Sequence, residues 1–79
     1  MAQVKFEYGD WVSFKLHQPN SDPIKIVGQV AIVDTFGTFF QNEEPSYDVY
    51  ADHCLYKHLP QSGLTFVKKG DGTCAIENI

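Results

Sequence analysis

The chain contains no arginine: its six basic residues are all lysines, and ten acidic residues give it a formal net charge of -4. Proteins that bind a nucleic-acid backbone usually release counterions through clustered basic side chains, and arginine is the common bidentate ligand of phosphate and guanine. This balance therefore argues against DNA or RNA as the partner.

Long apolar runs are missing as well. The amino-terminal stretch MAQVKFEYGDW has no apolar run after its first basic residue, so it predicts neither a signal peptide nor a membrane span, and we expect a cytoplasmic location. Cysteine is scarce. The two thiols, Cys54 and Cys74, are expected to be reduced and half-buried in that compartment, with a disulfide between them as the alternative.

Aromatic residues, in contrast, are plentiful: the 79 residues include one tryptophan, four tyrosines and six phenylalanines. A hydrophobic content of 43% is too high for a disordered chain, and the aromatic rings supply much of the surface that can be buried. We expect one small domain over residues 1–79. Its core should be thin, because a chain this short buries only about 60% of its unfolded surface.

Apolar residues alternate with a period of two from Val4 to Leu16, except at the Gly9–Asp10 corner. This pattern predicts a half-buried strand after a turn. The even positions should face the core, which places Trp11, Ser13 and Lys15 on the opposite face.

The middle of the chain predicts further strands. Residues His17–Pro23 form a polar loop with two prolines, and the apolar run Ile24–Asp34 predicts a central, curved strand in which Gly28 permits a bend or bulge. A turn of the DTFG type should lead into a short strand over Thr38–Gln41. A polar loop, Asn42–Ser46, follows.

The stretch YDVYADHCLYKHLP combines histidine, cysteine, tyrosine and aspartate. Alternation predicts a strand with one face in the core, formed by Tyr47, Val49 and Ala51, and an outward face formed by Asp48, Tyr50 and Asp52. The following LYKHLP is too short for a stable helix and predicts one 3₁₀ turn anchored by Leu55 and Leu59. The closing segments LTFV and TCAIENI predict a hairpin.

Short strands separated by turn signals, with no long helical stretch, predict an all-β fold. The order YGDWVSF, loop, VGQVAIVD, turn, YDVYADH, 3₁₀-like LYKHLP and LTFV resembles the SH3-like barrels of the Tudor and KOW type, over roughly residues 8–67. The resemblance implies a single small barrel of five to six antiparallel strands with one 3₁₀ turn.

The resemblance also implies functions. Tudor-like barrels bind methylated lysine or arginine in an aromatic cage, for which the nearest candidates are Trp11, Phe36, Tyr47 and Tyr50. KOW-type barrels bind RNA or protein through a basic and aromatic surface, from which the acidic balance here departs. The chain is similar, too, to short proteins of Gram-positive bacteria and their phages, which implies an accessory or regulatory role.

The leading hypothesis from the residues is a non-enzymatic interaction module. Its docking surface would be an aromatic patch edged by acids, suited to a lysine- or arginine-rich protein partner. The predicted patch consists of Trp11, Tyr50, Tyr56, Asp48 and Asp52. A homodimer through an exposed edge strand stays open.

Other functions remain as alternatives. The lysines with stacked aromatic rings would suit nucleic acid, and an acidic surface would suit an inhibitor of a DNA-binding protein. The lysines concerned are Lys5, Lys15, Lys25, Lys57, Lys68 and Lys69.

Zinc binding by His53, Cys54, His58 and Cys74 is disfavoured because adjacent strand residues point to opposite faces. Cysteine catalysis with Cys54, His58 and Asp52 is disfavoured because so small a barrel has little room for a cleft. We therefore expect no metal, no cofactor and no catalytic site.

Overall fold

The computed structural model describes residues 4–35 and 44–78. Within these ranges five antiparallel strands form one sheet in the order β4-β3-β2-β1-β5. The strands are β1 (Trp11–Leu16), β2 (Ile24–Asp34), β3 (Ser46–Ala51), β4 (Cys54–Pro60) and β5 (Thr65–Lys68). The all-β prediction with five strands is confirmed. The predicted strand Thr38–Gln41 lies outside the described residues.

The helical content of the described residues is limited to two 3₁₀ turns, Gln61–Gly63 and Ala75–Asn78, where one had been predicted. None of these residues belongs to a helix long and apolar enough to cross a membrane.

Strand β2 occupies the centre of the sheet and has the bounds predicted from its apolar run. Its bulge lies between Val30 and Ile32, where the register with β3 shifts, rather than at Gly28. Gly28 has a different role. A Cβ atom at this position would lie 2.5 Å from the carbonyl oxygen of Tyr50 and 2.7 Å from the Cβ of Ala51, so glycine is what lets β3 come this close.

A two-residue turn joins β3 and β4. Ala51 pairs with Cys54, and between them Asp52 and His53 have φ angles of 49° and 63°. Two consecutive positive φ angles are typical of the type I′ turn, whose twist matches that of the flanking strands. The segment Leu55–Pro60, predicted as a 3₁₀ turn, is therefore strand, because pairing with β3 outweighs its weak local preference.

The hydrophobic core lies on one face of the sheet. The predicted inward residues of β1 and β3 are buried there, including Val12, Phe14, Tyr47, Val49 and Ala51. Phe6 and Leu64 complete the buried cluster from outside the strands. The face assignment from alternation is thus confirmed for both strands.

The segment before β1 departs from its prediction as strand. Residues 4–10 lie outside any strand: Gly9 and Asp10 bond to the backbone of Val30 in β2, and the residues before them are held largely by side chains. The backbone N–H of Lys5 donates to Gln61 Oε1 at 2.9 Å and to the Tyr47 hydroxyl at 3.3 Å, and that hydroxyl donates to Gln61 Oε1. These bonds satisfy backbone groups that a neighbouring strand would otherwise have satisfied.

The predicted carboxyl-terminal hairpin is also wrong. Strand β5 pairs with β1, and the TCAIENI segment ends in the 3₁₀ turn Ala75–Asn78 rather than in a strand. Local acceptors explain this choice. Asp71 Oδ1 accepts bonds from the N–H and the hydroxyl of Thr73, and Glu77 Oε2 accepts a bond of 2.9 Å from the N–H of Cys74.

Candidate functional site

The register places Trp11 and Tyr50 on the same face of the sheet. Trp11 pairs with Gln29 on β2, and Gln29 pairs with Tyr50 on β3, so the three residues form one row across three strands. This row lies on the face opposite the hydrophobic core, which we call the outer face. The predicted direction of both aromatic residues is therefore right.

The predicted exposure of Tyr50 is wrong. Tyr50 is only 9% exposed, with its hydroxyl 3.4 Å from His53 Nδ1, and Trp11 is half-buried. The prediction of a phenol ring in contact with water at Tyr50 is therefore wrong. Tyr47, another residue considered for an aromatic cage, is 1% exposed, and Phe36 lies outside the described residues.

Tyr56 belongs to the other side of the sheet. It pairs with the buried Val49, and its ring packs edge-on against Phe14 with the ring centroids 5.1 Å apart. It is half-buried beside the core and does not share a surface with Trp11.

The two predicted acids of the patch are separated from each other and from Trp11. Asp48 is half-buried, and its Oδ1 accepts a bond of 3.0 Å from the backbone N–H of His58, which lies in a bulge of β4. Asp52 is exposed in the β3–β4 turn. The five residues of the predicted patch therefore do not form one surface.

The contacts of Gln29 explain in part why the predicted patch does not form one surface. Its side chain is buried, and Nε2 donates to the carbonyl oxygens of Gly9 at 3.1 Å and Thr73 at 3.0 Å, while Oε1 accepts a bond of 2.9 Å from the N–H of Ala75. Residues 73–75 are thus attached to the outer face between Trp11 and Tyr50. The chain itself fills part of the surface where the patch was expected.

Asp10 holds the neighbouring backbone together. It is 3% exposed; Oδ2 accepts a bond of 3.0 Å from the N–H of Glu7, and Oδ1 accepts one of 3.1 Å from the N–H of Gly70. Burial by itself would raise the pKa of Asp10, but these N–H groups and the ammonium of Lys69, 3.7 Å away, hold that pKa below its usual value.

We call the region formed by Asp10, Gln29 and residues 69–75 the polar junction. Gly9 contributes a φ of +88°, and a Cβ there would lie 2.7 Å from the carbonyl oxygen of Thr73. Beside the junction, the hydrogen bond with the Glu77 carboxylate raises the pKa of Tyr8 to about 12, with a smaller contribution from burial. The carboxylates of Asp10 and Asp71 and the amide of Gln29 thus hold irregular backbone in place.

A different surface lies along β1, where Lys15 and Lys25 are direct cross-strand partners. The next row contains Ser13 with Val27, and the row after that contains Trp11. We call this surface the lysine–tryptophan face and define it by Trp11, Lys15, Lys25, Val27 and Lys68. Val27 is 45% exposed, and the Lys68 ammonium lies 5.3 Å from the centroid of the Trp11 ring. The strand residues in these rows include no aspartate or glutamate.

Two depressions border this face at opposite ends of β1. A groove of about 600 Å³ lies at the Lys15 end, where β5 no longer accompanies β1 because their pairing stops at Ser13. A cleft of about 440 Å³ adjoins Trp11 and Lys68 at the other end. The groove is lined by Ser13, Phe14, Lys15, His17, Lys25, Leu59, Pro60, Gly63 and Thr65.

The cysteine and histidine cluster does not assemble. Neither thiol is half-buried as predicted: Cys54 is exposed and Cys74 is buried, and both are free, so the alternative disulfide is absent. Among the described residues no group of three or more histidine, cysteine, aspartate or glutamate side chains is placed to hold a metal ion.

Among the described residues the sheet has two edge strands, β4 and β5. Along β4, Lys57 and Pro60 and the bulge at His58, whose φ is 61°, are devices that discourage pairing with another strand. A homodimer through an edge strand stays a prediction.

The sequence did not indicate the lysine–tryptophan face, because the positions of the lysines along the chain do not show which of them are adjacent in the sheet. The odd positions of β1 and the partners Lys25 and Val27 carried the signal, but only the register of β1 with β2 shows that Lys15 and Lys25 are adjacent.

A scan of protein-family models and searches of curated proteins and of solved structures found no match to this chain.

Proposed function

We propose that the protein is a non-enzymatic binding module whose lysine–tryptophan face docks a protein partner. One observation carries this proposal. In a chain with a net charge of -4, the only tryptophan and three of the six lysines share one face, and its strand rows contain no acid. Such a local reversal of charge around an aromatic anchor favours recognition of an acidic surface.

The acidic side chains of the described residues differ from the lysines of this face in their contacts within the molecule. Carboxylates accept hydrogen bonds within the molecule, whereas Lys15 and Lys25 take part in no ion pair among the described residues. The engaged carboxylates are those of Glu7, Asp10, Glu44, Asp48, Asp71 and Glu77. This division supports a partner that is acidic, rather than the lysine- or arginine-rich partner expected from the predicted patch, and it disfavours an acidic inhibitor of a DNA-binding protein.

The order of elements supports the resemblance to SH3-like barrels without deciding it. The 3₁₀ turn Gln61–Gly63 stands between β4 and β5, and β5 returns to pair with β1. Membership of that family, a cytoplasmic location and an accessory role in a Gram-positive bacterium or its phage stay predictions.

A second candidate function is binding of single-stranded nucleic acid. The same observation favours it, because bases stack on aromatic rings while lysines contact the phosphates. The net charge opposes it, because phosphates beyond this face would meet the acids of the rest of the molecule.

Site-specific photo-crosslinking tests the proposal. A benzophenone amino acid replaces Val27 on the face in one variant and the exposed Lys57 on β4 in another, and both are irradiated in extract of the source cells. We expect a protein adduct at position 27 that weakens when Trp11→Leu is added, with circular dichroism showing that each variant keeps its fold.

Equal adducts at both positions, or an adduct at position 27 that Trp11→Leu leaves unchanged, would contradict the proposal. An adduct at position 27 that nuclease digests, and protease does not, would replace it with the second candidate.

A further inference from the structure

We propose that the Lys15–Lys25 pair and the adjoining groove recognise the acidic side chains of an extended peptide segment in the partner. This inference rests on the proposed function and adds the chemistry of the ligand to it. The proposal starts from the position of the two lysines, which face each other directly across β1 and β2.

Like charges placed directly opposite in a sheet repel each other and destabilise it. No described carboxylate forms an ion pair with either ammonium, so nothing within the described chain compensates for this repulsion. A carboxylate from outside, placed near both ammonium groups, would remove the repulsion and gain two attractive interactions. The pair is therefore costly alone and suited to an anionic ligand.

The groove beside this pair has the same charge preference. Lys15 and Lys25 contribute to its lining, and none of the described residues that line it is an aspartate or glutamate. Phe14 and Leu59 form the apolar part of this lining. A volume of about 600 Å³ accommodates a few side chains of a peptide rather than a whole domain.

The geometry of β1 favours an extended ligand. Trp11 and Lys15 are four residues apart on one strand, a distance of about 13 Å at 3.3 Å per residue. A peptide that runs along the outer face in an extended conformation would reach the Lys15–Lys25 pair with one residue and Trp11 with a residue about four positions away. We therefore expect the segment to combine an acidic residue with an apolar one at that spacing.

A short peptide fits this site better than a nucleic acid. Lysine provides a compact point charge that suits a single carboxylate, whereas the bidentate phosphate ligand arginine is absent from the chain. A few carboxylates can be neutralised locally, but a continuous phosphate backbone leaves the basic surface and meets the acids around it.

Fluorescence polarisation with defined probes tests the inference. The probes are a fluorescein-labelled peptide with two adjacent glutamates and a leucine about four residues away, the same peptide with glutamines, and oligothymidylate. We expect the glutamate peptide to bind about tenfold more tightly than the glutamine peptide, as two exposed ion pairs would provide. The double variant Lys15→Gln/Lys25→Gln should remove this preference.

The matched control is Lys5→Gln/Lys57→Gln, which removes the same charge from two exposed lysines outside the face and should keep the preference. Equal affinity for both peptides, the same loss in the control variant, or tighter binding of oligothymidylate would overturn the inference.

The two proposals fail separately. If Trp11→Leu weakens the photo-adduct at position 27 while the Lys15→Gln/Lys25→Gln variant keeps it in full, the inference is wrong and the proposed function stands. If neither change affects the adduct, both are wrong.

Discussion

The polar junction and the lysine–tryptophan face use charge in opposite ways. In the junction, Asp10 accepts hydrogen bonds from backbone N–H groups outside the strands, and Gln29 both donates to and accepts from such backbone groups. On the face, Lys15 and Lys25 project from regular strands whose backbone groups pair with each other. A carboxylate can accept from an unpaired N–H, whereas an ammonium can only donate.

This difference explains how a protein with a net negative charge can have one basic surface. Irregular backbone around residues 4–10 and 69–78 needs acceptors for its N–H groups, and carboxylates supply them. An ammonium cannot accept such a bond, and the lysines of the lysine–tryptophan face project from strands whose backbone is already paired. The following changes test this division, beginning with the largest expected effect.

Asp10→Ala should destabilise the fold by about 3 kcal/mol, because it leaves the N–H groups of Glu7 and Gly70 without their acceptor. Urea denaturation measures the change. The control Asp22→Ala removes an exposed acid and should alter the free energy of unfolding by no more than about 0.5 kcal/mol. Similar losses for both variants would show that the junction has no special structural role.

Acidification should weaken the polar junction through Asp10. Since the pKa of Asp10 is lower in the folded protein than its ordinary 3.8, its contribution to stability is complete above that value and is lost as the pH falls through the folded pKa. Wild type should therefore lose more stability than Asp10→Asn as the pH drops below about 4. Denaturation midpoints measured across this range would contradict the assignment if the two profiles were parallel.

Lys25→Glu should have the smallest effect and the opposite sign. It converts the repulsive cross-strand pair with Lys15 into an attractive one and should raise the free energy of unfolding by about 0.2–1 kcal/mol. The matched control Lys5→Glu changes the net charge equally at a site outside the sheet. An equal gain in the control would mean that net charge, and not the pair, is responsible.

Much of the sheet could be predicted from the sequence. The bounds of β2 and the inward faces of β1 and β3 followed from apolar runs and alternation, which are local properties. The β3–β4 turn could not be predicted, because Asp52–His53 is not one of the dipeptides that usually adopt two positive φ angles. Without the turn, the sequence predicts a 3₁₀ turn over Leu55–Pro60, which is part of β4.

The candidate site was harder to predict, since alternation gives the direction of a side chain but not what packs over it. Tyr50 points outward as expected and is nevertheless buried. The attachment of residues 73–75 next to it depends on Gln29, which is distant in the chain. The adjacency of Lys15 and Lys25 likewise depends on register, which no local pattern contains.

The amide of Gln29 also has a consequence for the order of folding. Its three hydrogen bonds join β2 to Gly9 on one side and to Thr73 and Ala75 on the other, so they form only after these distant segments have come together. Contacts of such high sequence separation form slowly, because loop closure must come first. We expect the carboxyl-terminal segment to be the last part of the chain to dock and the first to open, so its amide hydrogens should exchange with solvent sooner than those of β2.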